Sequence, residues 1–211
     1  MIDIRVKDNE IRKAVEEGMD SFVQVFINAI NTAIGGQLTQ ETMSQLNADQ
    51  ITLLGWSYLH QEVMEGGYIQ LIYNGYGAFI FKNPFAVAMR NWGLRELYTH
   101  IKHAKKYYDK YHEEIEKEVS DDDFMALYEQ MPEFDEFDDE FIVNEEHWCE
   151  MIAAYIDDHI DNFVKKLYER IVVKGNYSEL SQLTDENETR EIFLDVLKEQ
   201  EKELTNELSR K

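Results

Sequence analysis

The sequence predicts an all-α protein, and three observations carry that reading. Only two prolines and ten glycines occur in 211 residues. Apolar residues recur at spacings of three and four far more often than in alternation. The candidate helices stop at Gly35-Gly36, Gly66-Gly67 and Asn74-Gly75, the residues that helix ends favour. With 44% apolar and 12% aromatic residues the chain can fill one large core. The predicted organisation is a single helical domain with short connections over residues 1–166, then an extension over 167–211 made of a connector and a charged helix.

From Glu10 to Ile34, the positions Ile11, Val15, Phe22, Val23, Phe26, Ile27, Ile30 and Ile34 form one broad stripe, which predicts one helix ending at Gly35-Gly36. Asn47 with Gln50 three residues on has the pattern of a capping box and opens a helix through Leu53, Trp56, Leu59 and Val63 to Gly66-Gly67. Tyr68 to Tyr73 reads as a short helix closed by Asn74-Gly75, and Asn83-Pro84 as the cap and first residue of the next. A long helix is predicted from about Leu94 to Glu118. Ser120 caps another, with Asp121 to Asp123 at its positive end, and a further helix spans roughly Glu145 to Lys166. Beyond Leu167, "RIVVKGNYSEL" is a short strand or a connector. Thr184 to Leu208 reads as a charged helix carrying Ile192, Phe193, Val196, Leu197, Leu204 and Leu208, able to dock on the body or to pair chains. There is no internal repeat.

The chain holds 43 acidic and 21 basic residues, a formal charge of −22, which repels nucleic acid and anionic membranes and favours basic partners. The apolar runs are too short to span a bilayer. One cysteine, Cys149, forbids an internal disulfide, and the opening "MIDIRVKDNEIRK" lacks a secretory h-region, so a reducing cytoplasm is expected. The charge is also unevenly spread. Asp109 to Asp161 contains 21 acidic residues and two basic ones, carrying −19 of the −22.

That stretch is not a solvated brush, because it interleaves carboxylates with Phe124, Met125, Leu127, Tyr128, Phe134, Phe137, Phe141, Ile142, Trp148, Met151 and Ile152. Phe134, Phe137 and Phe141 recur at three and four; on a helix they leave Asp135, Glu136, Asp138, Asp139 and Glu140 largely on the other faces. A duplex presents one charge per roughly 1.7 Å of axis. At about 1.5 Å per residue this segment laid out as one helix would carry one charge per roughly 4 Å, and two antiparallel helices would bring that to about 2 Å. The expected partner-binding surface is Asp121, Asp122, Asp123, Glu129, Glu133, Asp135, Glu136, Asp138, Asp139, Glu140, Glu145, Glu146 and Glu150. The bland alternative, a solvated acidic face that serves solubility, has equal support in composition.

"WSYLHQEVMEGGYIQLIYNGYG", Trp56 to Gly77, resembles the signature of the domain of unknown function 4375 family, the family of a DNA mimic protein. The matching positions include Trp56, Leu59, Glu62, Val63, Gly66, Gly67, Tyr68, Gln70 and Asn74, and the resemblance runs over about residues 45–165. Gly75 stands where the family usually has a small hydroxyl residue. The resemblance implies a mostly helical cytoplasmic protein, and a homodimer whose acidic surface occupies the DNA-binding site of a transcription factor. Bottom-up, Trp56, Glu62, Gly66, Gly67, Tyr68, Gln70 and Asn74 make sense as a fold signature: Gly66-Gly67 permits a sharp turn, and Glu62, Gln70 and Asn74 can satisfy backbone groups around it.

An enzyme or small-ligand-binding protein with a polar pocket around Glu62, Gln70 and Asn74 is the alternative. Catalytic motifs do not support it: there is no phosphate-cradling loop, GxSxG elbow or dinucleotide fingerprint. No cofactor or dedicated metal is expected. His100 and His103 share a helical face, yet no glutamate stands three residues before any histidine, as di-iron bundles require. "DEFDDEFIVNEE" lacks the glycine of a calcium loop. Cys149 among carboxylates should keep its proton and act as a packing residue. A third reading, a structural module assembled through its tail helix, stays open.

Overall fold

The computed structural model describes residues 2–167; the predicted connector after Leu167 and the helix at Thr184 to Leu208 lie outside them. Within these residues run β1 (Arg5–Lys7), α1 (Asp8–Glu17), α2 (Met19–Ala33), α3 (Gln40–Met43), α4 (Ala48–Tyr73), α5 (Gly77–Phe81), α6 (Phe85–Asn91), α7 (Arg95–Ile115), α8 (Asp121–Gln130), a 3-10 turn at Pro132–Phe134, α9 (Asp135–Asp158), α10 (Ile160–Phe163) and β2 (Lys165–Leu167). The domain is all-α, as predicted, apart from the two short strands. These pair in parallel, with Arg5 opposite Lys165 and Val6 opposite Lys166, and bury Ile4, Val6 and Val164. Among the described residues no helix is long and apolar enough to cross a membrane.

Several boundaries differ from the sequence expectation. The single helix over Glu10 to Ile34 is two helices, broken at Gly18, whose φ of 121° and ψ of 175° lie in a region that suits glycine alone. The apolar stripe therefore changes phase: Ile11 and Ala14 are buried, while Val15 is 59% exposed. The helix expected from Glu145 starts ten residues earlier, at Asp135, because Pro132 ends the preceding segment and the Phe134 spacing carries the next one inward. It also stops short of Lys166. Val164, extended at φ −147° and ψ 158°, leads the chain out of α10 into β2.

The capping box is formed as expected. Asn47 Oδ1 accepts from the Gln50 backbone N–H at 2.9 Å, and Gln50 Oε1 accepts from the Asn47 N–H at 3.0 Å. Both side chains reach further: Asn47 Nδ2 donates to the Asn162 carbonyl at 2.6 Å and Gln50 Nε2 to the Phe163 carbonyl at 2.8 Å, fixing α10 against the start of α4. Ser120 Oγ accepts from the Asp123 N–H, so that predicted cap is present; Asn83 Oδ1 accepts from the Phe85 N–H, but α6 begins at Phe85 with Pro84 at its N-cap, one residue later than expected. Helix α4 lies at the centre, packed on α2, α5, α6, α7 and α9. Its Leu53, Leu54, Leu59, Ile69 and Ile72 are inaccessible to solvent.

Candidate protein-interaction surface

The acidic helix α9 is held down by rings. Tyr111 lies 6.3 Å from Phe134, Tyr107 5.5 Å from Phe137 and His100 6.1 Å from Phe141, centroid to centroid. Residue numbers fall on α7 as they rise toward and along α9, so the two run antiparallel. Phe141 also stacks on Trp56 at 6.0 Å and meets Trp148 edge-on at 5.3 Å. Phe134, Phe141 and Trp148 are buried. Such a rigid base leaves Asp135, Glu136, Asp139, Glu140, Glu146 and Glu150 exposed on α9, as are Asp123 and Glu129 on α8. The side chains of Asp121 and Asp122 are outside the described part of the structure.

Glu140, although exposed, also lies 3.0 Å through Oε2 from Nδ1 of buried His100, and the remaining carboxylates of the expected surface are spent differently. Glu133 accepts a hydrogen bond from Tyr111 Oη at 2.6 Å and pairs with Lys110 at 3.1 Å; these two contacts hold its carboxyl below the usual range. Glu145 is half-buried against His60, whose Nε2 lies 2.6 Å from Oε1. Asp138 is also half-buried, and its position depends on the kink in α4.

At that kink Gly66 and Gly67 leave the helical range, Gly67 with φ of +73°. The break frees the N–H of Tyr68, which donates to Asp138 Oδ1 at 2.8 Å. A Cβ on Gly67 would lie 2.2 Å from Asp138 Oδ2, so the glycine is needed both for its backbone angle and for the carboxylate's approach. The Gly66 carbonyl accepts from Tyr128 Oη at 2.7 Å, so α8 and α9 both latch onto the kink. Burial lifts the Asp138 carboxyl from 3.8 to about 7. The Tyr68 N–H opposes that rise, and the charges of Asp135 and Asp139 add to it. Asp138 thus caps the second half of α4 and stands apart from the outward carboxylates.

The polar trio of the signature closes on itself. Buried Glu62 accepts from Asn74 Nδ2 at 2.7 Å and from Gln70 Nε2 at 3.3 Å through Oε2. These bonds join side chains across the kink, where bonds to the backbone were expected, and they take up the groups that the pocket reading required.

Charge density along α9 can be compared with a duplex. Ten carboxylates and no lysine or arginine lie between Asp135 and Asp158; over 24 residues, about 36 Å, that gives one charge per roughly 3.6 Å, half the density of DNA. Its antiparallel neighbour α7 does not supply a second acidic row, since it carries Arg95, Lys102, Lys105, Lys106 and Lys110.

Sequence spacing missed one constellation. Cys149 is buried and its thiol donates to Asp20 Oδ1 at 3.2 Å. Burial, that hydrogen bond and the charges of Asp20 and Glu145 push the thiol up to about 12, in line with the expectation that it keeps its proton. Asp20, Glu145 and Cys149 bring donor atoms within 4.8 Å of one another. Asp20 comes from α2 and the other two from α9, a juxtaposition that no local motif records.

The chain is similar to the DNA mimic protein DMP19 of Neisseria meningitidis serogroup B (strain ATCC BAA-335 / MC58), with 34% identity over 128 residues, which are 60% of this chain and 78% of the relative. The family model described as DMP19-like protein matches residues 44–159, from the approach to α4 to the end of α9. This agrees with the DNA-mimic resemblance carried by Trp56 to Gly77, while the numbered designation finds no separate support. By that match the chain belongs to the DMP19-like protein family.

Proposed function

We propose that this protein is a non-catalytic DNA mimic whose outward carboxylates on α8 and α9 occupy the nucleic-acid-binding site of a basic partner, a DNA-binding protein such as a transcription factor. The observation that carries the reading is the similarity to a DNA mimic protein across the segment that holds α4 to α9. The physical support is a row of carboxylates on a helix pinned by Phe134, Phe141 and Trp148, so that binding spends little free energy on ordering the charges. A single α9 has about half the linear charge density of a duplex. A homodimer that sets two such helices side by side would supply the second row.

The test is capture of basic proteins by the full chain at low salt, followed by binding to the captured partner over a salt series. Affinity should fall steeply with ionic strength, because the attraction is between exposed charges. Replacing Asp135, Glu136, Asp139 and Glu146 by their amides should weaken it by at least tenfold, and duplex DNA should compete. A complex indifferent to salt and to these four amides overturns the reading.

A further inference from the structure

Three helices converge on donor atoms that the mimicry reading does not use. Glu145 and Cys149 lie one helical turn apart on α9 and so share a face. Asp20 reaches them from α2, and the three donor atoms lie within 4.8 Å of one another. On the other side of Glu145, His60 of α4 holds its carboxylate through the 2.6 Å contact at Nε2. Carboxylates that bind a metal ion are themselves hydrogen-bonded by a supporting group, and His60 supplies such a contact to Glu145.

We propose that Asp20, Glu145 and Cys149 form a binding site for a divalent cation of the zinc class, with His60 as a positioning residue for Glu145. Zinc bonds of about 2.3 Å to sulfur and 2.0–2.2 Å to oxygen put tetrahedral ligands roughly 3.4–3.6 Å apart. Side-chain rotation of about 1 Å therefore closes the present set around an ion, and solvent fills the fourth position. Calcium and magnesium are disfavoured, since they take six or more hard oxygen donors and have little affinity for a thiolate. On binding, Sγ and one oxygen of each carboxylate donate lone pairs to the ion, the Cys149 proton leaves to solvent, and the Cys149–Asp20 hydrogen bond is exchanged for two metal bonds. No electron changes hands. The carboxylates that keep the thiol protonated in the free protein become its co-ligands. The ion ties α2 to α9 and offsets charge next to the mimic row.

The test uses the full chain and cobalt(II) as the spectroscopic probe. The sequence has a single cysteine, so a thiolate-to-cobalt charge-transfer absorption can arise only here, however many surface carboxylates also bind cobalt. One equivalent of cobalt should produce that band, and one equivalent of zinc should abolish it. C149S should remove the band. D20N, at an exposed position where the amide oxygen can still accept from the Cys149 thiol, should weaken binding at least tenfold, as should E145Q, and H60Q should weaken it roughly 10- to 100-fold. Far-ultraviolet circular dichroism of each variant checks that the helices persist. Cobalt taken up without the band, or a band of unchanged affinity in D20N and E145Q, overturns the site. Neither result touches the salt-dependent capture that tests mimicry.

Discussion

Replacing Asp138 by Asn should stabilise the fold at pH 8 and change it little near pH 4. The carboxyl titrates at about 7 in the folded chain against an ordinary value of 3.8, so the folded state binds this proton more tightly than the unfolded state does. Stability contributed by the protonated group is complete below 3.8 and is lost as pH rises through the window up to about 7. Each pH unit within it costs about 1.4 kcal/mol, for a ceiling of about 4 kcal/mol. The half-buried position trims this to about 2–3 kcal/mol, because the ionised group keeps some water. Asparagine retains an oxygen that can accept the Tyr68 N–H and resembles the protonated carboxyl in shape. Urea unfolding of both proteins at several values between pH 4.5 and 8 gives the comparison, in which contributions of the other carboxylates largely cancel. D138A separates the two roles: it leaves the Tyr68 N–H without its acceptor and, since neither variant titrates, should be less stable than D138N by about 1–3 kcal/mol at every pH. A difference between D138N and the parent that stays flat across the range, or grows toward acid, would refute the buried-carboxyl argument.

Three further outcomes follow from the geometry. G67A should lose at least about 1–3 kcal/mol in the same unfolding assay, from strain at φ +73° and the collision with Asp138; a loss below 0.5 kcal/mol by that measure, of the size expected for an ordinary surface change, would mean the kink relaxes. N47A removes both a capping interaction and the bond to the Asn162 carbonyl, and should lower stability by about 0.5–2 kcal/mol, read as a shift in urea midpoint. His100 is buried with Nδ1 3.0 Å from Glu140, and burial holds its pKa below 6.5 despite that carboxylate. Its contribution to stability is therefore present above pH 6.5 and is lost as the solution is acidified below it; a ring titration above 6.5 by nuclear magnetic resonance would contradict this.

The helical class, the caps at Asn47 and Ser120 and the breaks at Gly66-Gly67 and Asn74-Gly75 were legible because each is written in neighbouring residues. Gly18 was not, since the apolar spacing runs on through it and only the burial of Ile11 and Ala14 against the exposure of Val15 reveals the change of phase. The strand at Arg5–Lys7 escaped for a related reason: its partner Lys165–Leu167 lies at the far end of the described chain. The acidic surface shows the same limit at the level of single side chains. Asp135, Asp138 and Asp139 are chemically alike and nearly adjacent, and helical periodicity from Phe134, Phe137 and Phe141 assigns all three outward. Yet Asp138 turns into the space left by Gly67, 71 residues away, because an unpaired backbone N–H there needs an acceptor.

That difference decides how mimicry has to be tested. A variant that neutralises the whole run from Asp135 to Glu140 removes outward charges and the cap of the α4 kink together, so weakened partner binding could come from either. Amides at Asp135, Glu136, Asp139 and Glu146, with Asp138 and the His100 partner Glu140 kept, remove charge from the exposed face while leaving the hydrogen bond to Tyr68. D138N alone changes the kink's titration and, at pH 6, removes a charge that is already largely absent from the folded protein. If the outward carboxylates form the template, binding at that pH should fall with the four amides and hold with D138N. The reverse pattern would locate the effect in the fold, and the row of charges would then be no more than a solvated surface.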